Sequence, residues 1–277
     1  MAPLRALADL DDEERAAAES LLFRLADDEF VIAERYTEWQ VVAPTLESDL
    51  ALSNIAQDEL GHARVWFDAL GELGYSERDL VWERDPGAFR HSTLVELPFA
   101  EGDWADPILR GYLYDVAEDL RLDAVAGSDV RELVDPVEKI RSEEEYHLEH
   151  AQNWLERLCD DDAGRERVQS AADRLVPHAL TLWVPGPAAS AIDSSGLRGE
   201  SLDATRRQWL DTVASFLESL GLTVPLDPGD DPTESLPDSV GSDGNHTDHW
   251  PRLHDELTET YRELGRSDVR RLRGEGT

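Results

Sequence analysis

The stretch "QDELGHAR", residues 57–64, places two polar side chains where the surrounding pattern asks for apolar ones. Glu59 and His62 lie three residues apart in a segment whose apolar residues recur at three- and four-residue steps, which is typical of an amphipathic helix. In a helix this spacing puts two side chains about 60° apart around the axis and about 4.5 Å apart along it. A carboxylate and an imidazole so placed can hold one metal ion together.

A second pair with the same spacing, Glu144 and His147, lies in "SEEEYHLEH". In a chain this acidic, one such match is expected by chance, so its position in the apolar pattern decides its meaning. Both pairs fall inside a row of large apolar residues, with Ile55 and Trp66 on either side of the first pair and Ile140 before the second. The two pairs are therefore predicted to face the interior of the protein.

Two further helical segments carry one carboxylate each in their apolar rows, although acidic residues are so frequent here that chance is the alternative for each. Four buried carboxylates would repel each other and lose their hydration at large cost, whereas two divalent cations supply four compensating charges. Oxygen-rich ligands with one imidazole per ion suit iron or manganese. This is the arrangement of di-iron carboxylate sites in ferritin-like four-helix bundles. The predicted metal ligands are Glu29, Glu59, His62, Asp115, Glu144 and His147.

An acidic residue precedes each pair, Asp58 in the first and Glu143 in the second. Metal-bound imidazoles usually donate their free N–H to a carboxylate. We therefore expect Asp58 to hold His147 and Glu143 to hold His62, with ordinary surface acidity as the alternative. His150, one turn after His147, either lines the site or is exposed on its helix.

The apolar pattern predicts an all-α chain, a ferritin-like four-helix bundle with additional C-terminal helices. Bundle helices are expected near 11–42, 46–73, 105–127 and 130–159, and later helices near 164–183, 203–221 and 248–265. Segment 75–104 is long and irregular. The predicted domains are a bundle over 1–190, a helical extension over 191–223, a flexible acidic linker over 224–247, and a C-terminal helix and tail over 248–277.

The net charge of −35 argues against nucleic acid and anionic membranes as partners. Of 26 Lys+Arg residues only Lys139 is a lysine, which leaves 26 − 1 = 25 arginines. Many acids with almost no lysine resemble the cytoplasmic proteins of salt-loving archaea, where high salt screens self-repulsion. A specific cation-binding protein is the alternative, but the acids are spread along the chain. The absence of an apolar leader in "MAPLRALADL" and the single cysteine, Cys159, favour a cytoplasmic location.

Several stretches resemble the phenylacetyl-CoA epoxidase (ring 1,2-phenylacetyl-CoA monooxygenase) family: "APTLESDLALSNIAQDELGHARVW", "VELPFAEGDWADPILRGYLYD", "EEEYHLEHAQNWLERL" and "HTDHWPRLHDEL". They cover about residues 15–190 and the last helix. Within the family, "VELPF", "NWLERL" and the "HTDH" motif are most similar to the C-type subunit (PaaC-like).

The resemblance implies a bundle that pairs with a homologous A-type catalytic subunit and the other components of the complex. The A-type subunit binds the acyl-CoA substrate and iron, and the complex inserts one oxygen atom of O₂ into the aromatic ring. The C-type subunit is usually described as structural. The six predicted ligands nevertheless match the catalytic subunit's pattern in type and spacing, whereas some C-type subunits have lost it.

Three functions remain open at this point. The first is a C-type subunit that supports the catalytic partner and keeps two iron ions, or manganese, at its own site. The second is a catalytic di-iron oxygenase in its own right, and the third is a ferritin-like protein that oxidises or binds iron. A substrate channel reaching the metals would favour the second function. Iron storage would need a closed shell of many subunits, of which the sequence gives no sign.

Overall fold

The computed structural model describes residues 3–39, 43–99, 104–226 and 232–264, and within these ranges it contains helices and no β-strand. The all-α prediction is therefore confirmed. The α-helices in these ranges are α1 (Asp12–Trp39), α2 (Leu46–Glu72), α3 (Thr93–Glu96), α4 (Ala105–Ala126), α5 (Arg131–Val134), α6 (Val137–Leu158), α7 (Asp162–Ala179), α8 (Ala189–Ser194), α9 (Leu202–Ser219) and α10 (His249–Glu263).

The four long helices α1, α2, α4 and α6 form the predicted bundle. Helix α1 packs along α2 and α4 packs along α6, while contacts between α2 and α6 join the two pairs. Their facing apolar rows make the core, in which Leu22, Trp66, Leu109 and Ile140 are fully buried. Burial of one such side chain stabilises the fold by about 1.5–3 kcal/mol. These same rows carry the polar residues that the sequence singled out.

Helix ends follow local chemistry. Thr45 caps α2, because its Oγ1 accepts the backbone N–H of Ser48 at 3.2 Å. The helix predicted over 130–159 is divided in two, with α5 ending at Val134 and α6 beginning after Pro136, which has no N–H to continue a helix. The predicted end of the first helix, at 40–42, lies outside the described residues.

The connection between α2 and α4 is irregular, as predicted, but contains short helical turns. A π-helical turn spans Arg78–Trp82, a 3₁₀ turn spans Pro86–Ala88, and α3 follows. Arg84 ties this connection to α1 through hydrogen bonds of 2.6 and 2.8 Å to Asp27. The connection therefore packs against the outside of the bundle.

The C-terminal helices pack at separate places, α9 on α4 of the bundle and α10 on the connection before α4. The Trp209 indole of α9 donates a hydrogen bond of 2.9 Å to the carbonyl of Leu113 in α4, and the Trp250 indole of α10 donates one of 2.9 Å to the carbonyl of Pro86. The predicted domain boundaries and the flexibility of 224–247 stay predictions, and residues 227–231 and 265–277 lie outside the described residues. Among the described helices, none combines the length and apolarity needed to cross a bilayer.

Candidate metal centre

The six predicted ligands meet at the centre of the bundle. Their side chains come from the inner faces of all four long helices, and each residue is at most 2% exposed. Two overlapping groups have ligand atoms within 4.8 Å of one another, one of four residues and one of three, with Glu59 in both. The first group is Glu29, Glu59, His62 and Glu144, and the second is Glu59, Asp115 and His147.

Two carboxylates lie between the two imidazoles. His62 Nδ1 is 3.3 Å from Glu144 Oε1 and 3.6 Å from Glu59 Oε2. His147 Nδ1 is 3.4 Å from the same Glu144 oxygen and 3.7 Å from Glu59 Oε1. The centroids of the two rings are 6.3 Å apart. Glu59 and Glu144 can therefore each face two cations, one beside each imidazole.

The remaining two carboxylates are divided between the two sides. Glu29 Oε2 lies 3.8 Å from His62 Nδ1, while Asp115 groups with His147 and Glu59. Each imidazole thus has one carboxylate of its own and shares two others. This donor set is suited to a pair of divalent cations.

The outer nitrogen of each imidazole faces an acidic residue across the bundle. His62 Nε2 lies 3.0 Å from Glu143 Oε2, and His147 Nε2 lies 3.4 Å from Asp58 Oδ2. A proton on Nε2 leaves Nδ1 free to act as a ligand toward the centre. The structure brings these pairs together as expected, and their role in orienting metal ligands stays a prediction.

The central atoms lack hydrogen-bond donors. Buried carboxylate oxygens almost always have a hydrogen-bond partner, because a buried acceptor without one costs about 1–3 kcal/mol. Among the described residues, a whole cluster of them has none, which suits the binding of cations. These atoms are both carboxylate oxygens of Glu29, Glu59 and Glu144, Oδ1 of Asp115, and Nδ1 of His62 and His147.

The pKa values of the cluster also indicate a site that attracts positive charge. Burial, followed by the charges of neighbouring carboxylates, raises the pKa of Glu59 well above its ordinary value. Burial and the charge of Glu144 do the same to the pKa of Asp115. Burial lowers the pKa of His147, but the carboxylates of Asp58 and Glu144 outweigh it and raise the pKa to about 10. The cluster attracts positive charge, so protons and metal ions compete for it.

One buried carboxylate beside the site was not predicted. Glu118 on α4 is fully buried, and its Oε1 has no hydrogen-bond partner. Its other oxygen accepts a 2.8 Å hydrogen bond from Arg121 Nε, and Arg121 also binds Asp28 at 2.6 Å. Burial raises the pKa of Glu118 well above its usual range. Its position three residues after Asp115 was the available signal.

A cavity of about 390 Å³ lies between α1, α2 and the π-helical turn. Three of its lining residues, Phe30, Leu60 and Ala63, each directly follow a predicted ligand in sequence, but none of the six predicted ligands lines it. In the described residues, this cavity is therefore not a channel to the cluster. Its aromatic and apolar walls include Phe30, Leu60, Ala63, Phe67, Tyr75 and Trp82.

His150 belongs to neither ligand group. It lies half-buried on α6, where it lines a shallow depression with Tyr146, Trp154 and Arg157. Of the two alternatives given for it, lining the metal site has no support from the geometry.

Two comparisons show which known proteins this chain is similar to. A family model described as "Phenylacetic acid catabolic protein" matches residues 1–267. The C-type subunit of 1,2-phenylacetyl-CoA epoxidase from Escherichia coli (strain K12) is 31% identical over 244 residues. The matched region is 87% of this chain and 94% of that protein.

Proposed function

The chain belongs to the phenylacetic acid catabolic protein family, and we propose that it is the C-type subunit of a multicomponent phenylacetyl-CoA epoxidase in aerobic phenylacetate catabolism. The observation that carries this proposal is the 31% identity to the C-type subunit of an epoxidase, which extends over 94% of that protein. A relative matched over nearly its full length supports a shared role more strongly than a shared motif does.

The central cluster is proposed to hold two iron ions, with manganese suited to the same ligands. Glu59 and Glu144 would face both ions, Glu29 and His62 would complete one side, and Asp115 and His147 the other. Bound iron would supply the capacity to reduce O₂. Around it, the buried apolar rows exclude water, and Glu143 and Asp58 hold the imidazoles in place.

A supporting role for this subunit is favoured over catalysis of its own. The apolar cavity of about 390 Å³ is lined by none of the six ligands, so a substrate bound in it would not contact them. We propose that a homologous A-type subunit binds the acyl-CoA substrate and performs the oxygenation. This chain then supports that subunit while keeping its own metal pair.

Reconstitution tests this function. The isolated chain is expected to show no turnover of phenylacetyl-CoA with O₂ and electrons, whereas mixing it with its A-type partner and the reductase gives an active complex. The combined change Glu59→Ala and Glu144→Ala should leave that activity within about twofold, because catalysis takes place in the partner. Glu149→Ala, an exposed acid on α6, is the matched control.

Two outcomes would contradict the proposal. Turnover by the isolated chain would make it an oxygenase in its own right. Loss of activity in a variant complex that still assembles would show that the reaction uses this subunit's metals.

We also propose that the protein is adapted to high salt, because 61 acidic residues face only 26 basic ones. Unscreened repulsion among these charges destabilises the compact state, and salt at molar concentration reduces the Debye length to about 3 Å. Circular dichroism should therefore show a helical protein in molar KCl that loses helix in dilute buffer. Equal melting temperatures in the two solutions would contradict halophilic adaptation.

A further inference from the structure

A second cluster of histidine and carboxylate lies away from the metal centre, where the C-terminal segment meets the connection before α4. His91 Nε2 and His246 Nδ1 both lie 2.8 Å from the same oxygen, Oε2 of Glu96. The other oxygen of Glu96 accepts the backbone N–H of Thr247 at 2.6 Å. His91 and Glu96 are fully buried, and the His246 side chain is 4% exposed. The cluster joins segments 150 residues apart in sequence.

Two histidines and a glutamate are also a known set of zinc ligands, so a metal site is the first alternative. Structural zinc sites, however, have four protein ligands, and this group has three among the described residues. The rings of His91 and His246 stack at 4.2 Å with an interplanar angle of 25°. One nitrogen of each ring lies at hydrogen-bond distance, 2.8 Å, from Oε2 of Glu96, so this oxygen occupies the point on which the two rings converge.

Hydrogen bonding accounts for this cluster without a metal. His246 Nε2 lies 3.1 Å from the carbonyl of Phe89, so both ring nitrogens of His246 have a hydrogen-bond partner in the protein. The carboxylate of Glu96 accepts three N–H groups. At the metal centre, by contrast, the carboxylate oxygens of Glu29, Glu59 and Glu144 have no donor at all.

The charge state follows from these partners. Burial opposes ionisation of Glu96, but His246 and His91 outweigh it and hold the pKa of the carboxyl at about 2. The Nδ1 atom of His91 has no hydrogen-bond partner, which fits a neutral ring that donates only through Nε2. The buried carboxylate of Glu96 is thus stabilised by hydrogen-bond donors on both of its oxygens.

We propose that His91, Glu96 and His246 form a hydrogen-bonded clasp that fastens helix α10 to the connection before α4. Besides this clasp, α10 has a narrow buried face of Trp250, Leu253, His254 and Thr258. Hydrogen bonds from Trp250 to Pro86 and from Tyr261 to Glu83 also join it to the connection. The end of the helix reaches the cavity wall, where Tyr261 stacks on Trp82 at 5.6 Å. The clasp therefore fixes both the last helix and one wall of that cavity.

The "HTDH" motif supplies a matched pair of variants. Its first histidine, His246, is in the clasp, whereas its second, His249, is exposed. Hydrogen–deuterium exchange of the full chain in molar KCl should show α10 amides exchanging at least tenfold faster in His246→Ala and in Glu96→Gln. His249→Ala should exchange like the wild type, because it removes a histidine of the same motif without touching the clasp.

Unchanged exchange of α10 in His246→Ala would overturn the clasp. So would Zn²⁺ at one equivalent slowing exchange of α10 in the wild type but not in His246→Ala, since that result would identify a metal site. Glu96 is buried inside the fold, so Glu96→Gln carries the risk of misfolding. His246→Ala changes only the C-terminal segment and decides the question on its own, with circular dichroism as the check on the bundle.

Discussion

Replacing Glu59 by glutamine is expected to raise the melting temperature of the metal-free chain while removing most of the stabilisation that metal ions give the wild type. In the metal-free chain this buried carboxyl lies against other carboxylates, and its pKa is raised well above the ordinary value. A neutral amide of the same shape removes the cost of either ionising this carboxyl beside its neighbours or binding a proton there, and it can donate hydrogen bonds to them. We expect a gain of about 1–3 kcal/mol, the cost of one unsatisfied buried group.

In the wild type, metal ions should raise the melting temperature far more than in Glu59→Gln. A ligand present at 100 times its dissociation constant stabilises the folded state by about 2.7 kcal/mol per site, so two sites contribute about 5 kcal/mol. At about 2–4 °C per kcal/mol for a chain near this size, Fe²⁺ without oxygen should raise the melting temperature by about 10 °C or more. In Glu59→Gln the rise should fall below about half of that, because Glu59 belongs to both ligand groups.

The control for this comparison is Glu149→Gln, which makes the same chemical change at an exposed position on α6. It should behave like the wild type with and without metal. A full metal-induced rise in Glu59→Gln would show that Fe²⁺ stabilises the protein from a different site. Metal-free Glu59→Gln melting below the wild type would contradict the electrostatic account of the cluster.

The inward positions of the six proposed ligands could be predicted from sequence because a helix repeats every 3.6 residues, so a polar residue inside an apolar row faces the core. Glu59 and Glu144 stand out for this reason. Glu118 was not predicted. Its ion pair with Arg121, which also binds Asp28 of another helix, depends on tertiary packing. The row through Asp115 reaches Glu118 at the next three-residue step.

The contacts of the clasp and the break between α5 and α6 could not be predicted from the periodicity of the sequence. Glu96 and His246 are 150 residues apart, and their contact depends on how α10 returns to the bundle. The break at Pro136 follows from the missing N–H of proline, although the apolar row continues through it. Local pattern therefore predicted the four helices and their inner faces, but not the contacts made by the connections between them.

The central claim is that six buried side chains hold two metal ions, and metal content tests it most directly. The purified chain, loaded with Fe²⁺ without oxygen in molar KCl and freed of excess metal, should contain about two iron ions per chain by elemental analysis. The combined change Glu59→Ala and Glu144→Ala removes both shared carboxylates and should lower the content to less than about 0.3 per chain, while Glu149→Ala retains two. Circular dichroism establishes that each sample is folded. A folded wild-type chain with close to no iron, or a double variant that still holds two ions, would contradict the claim.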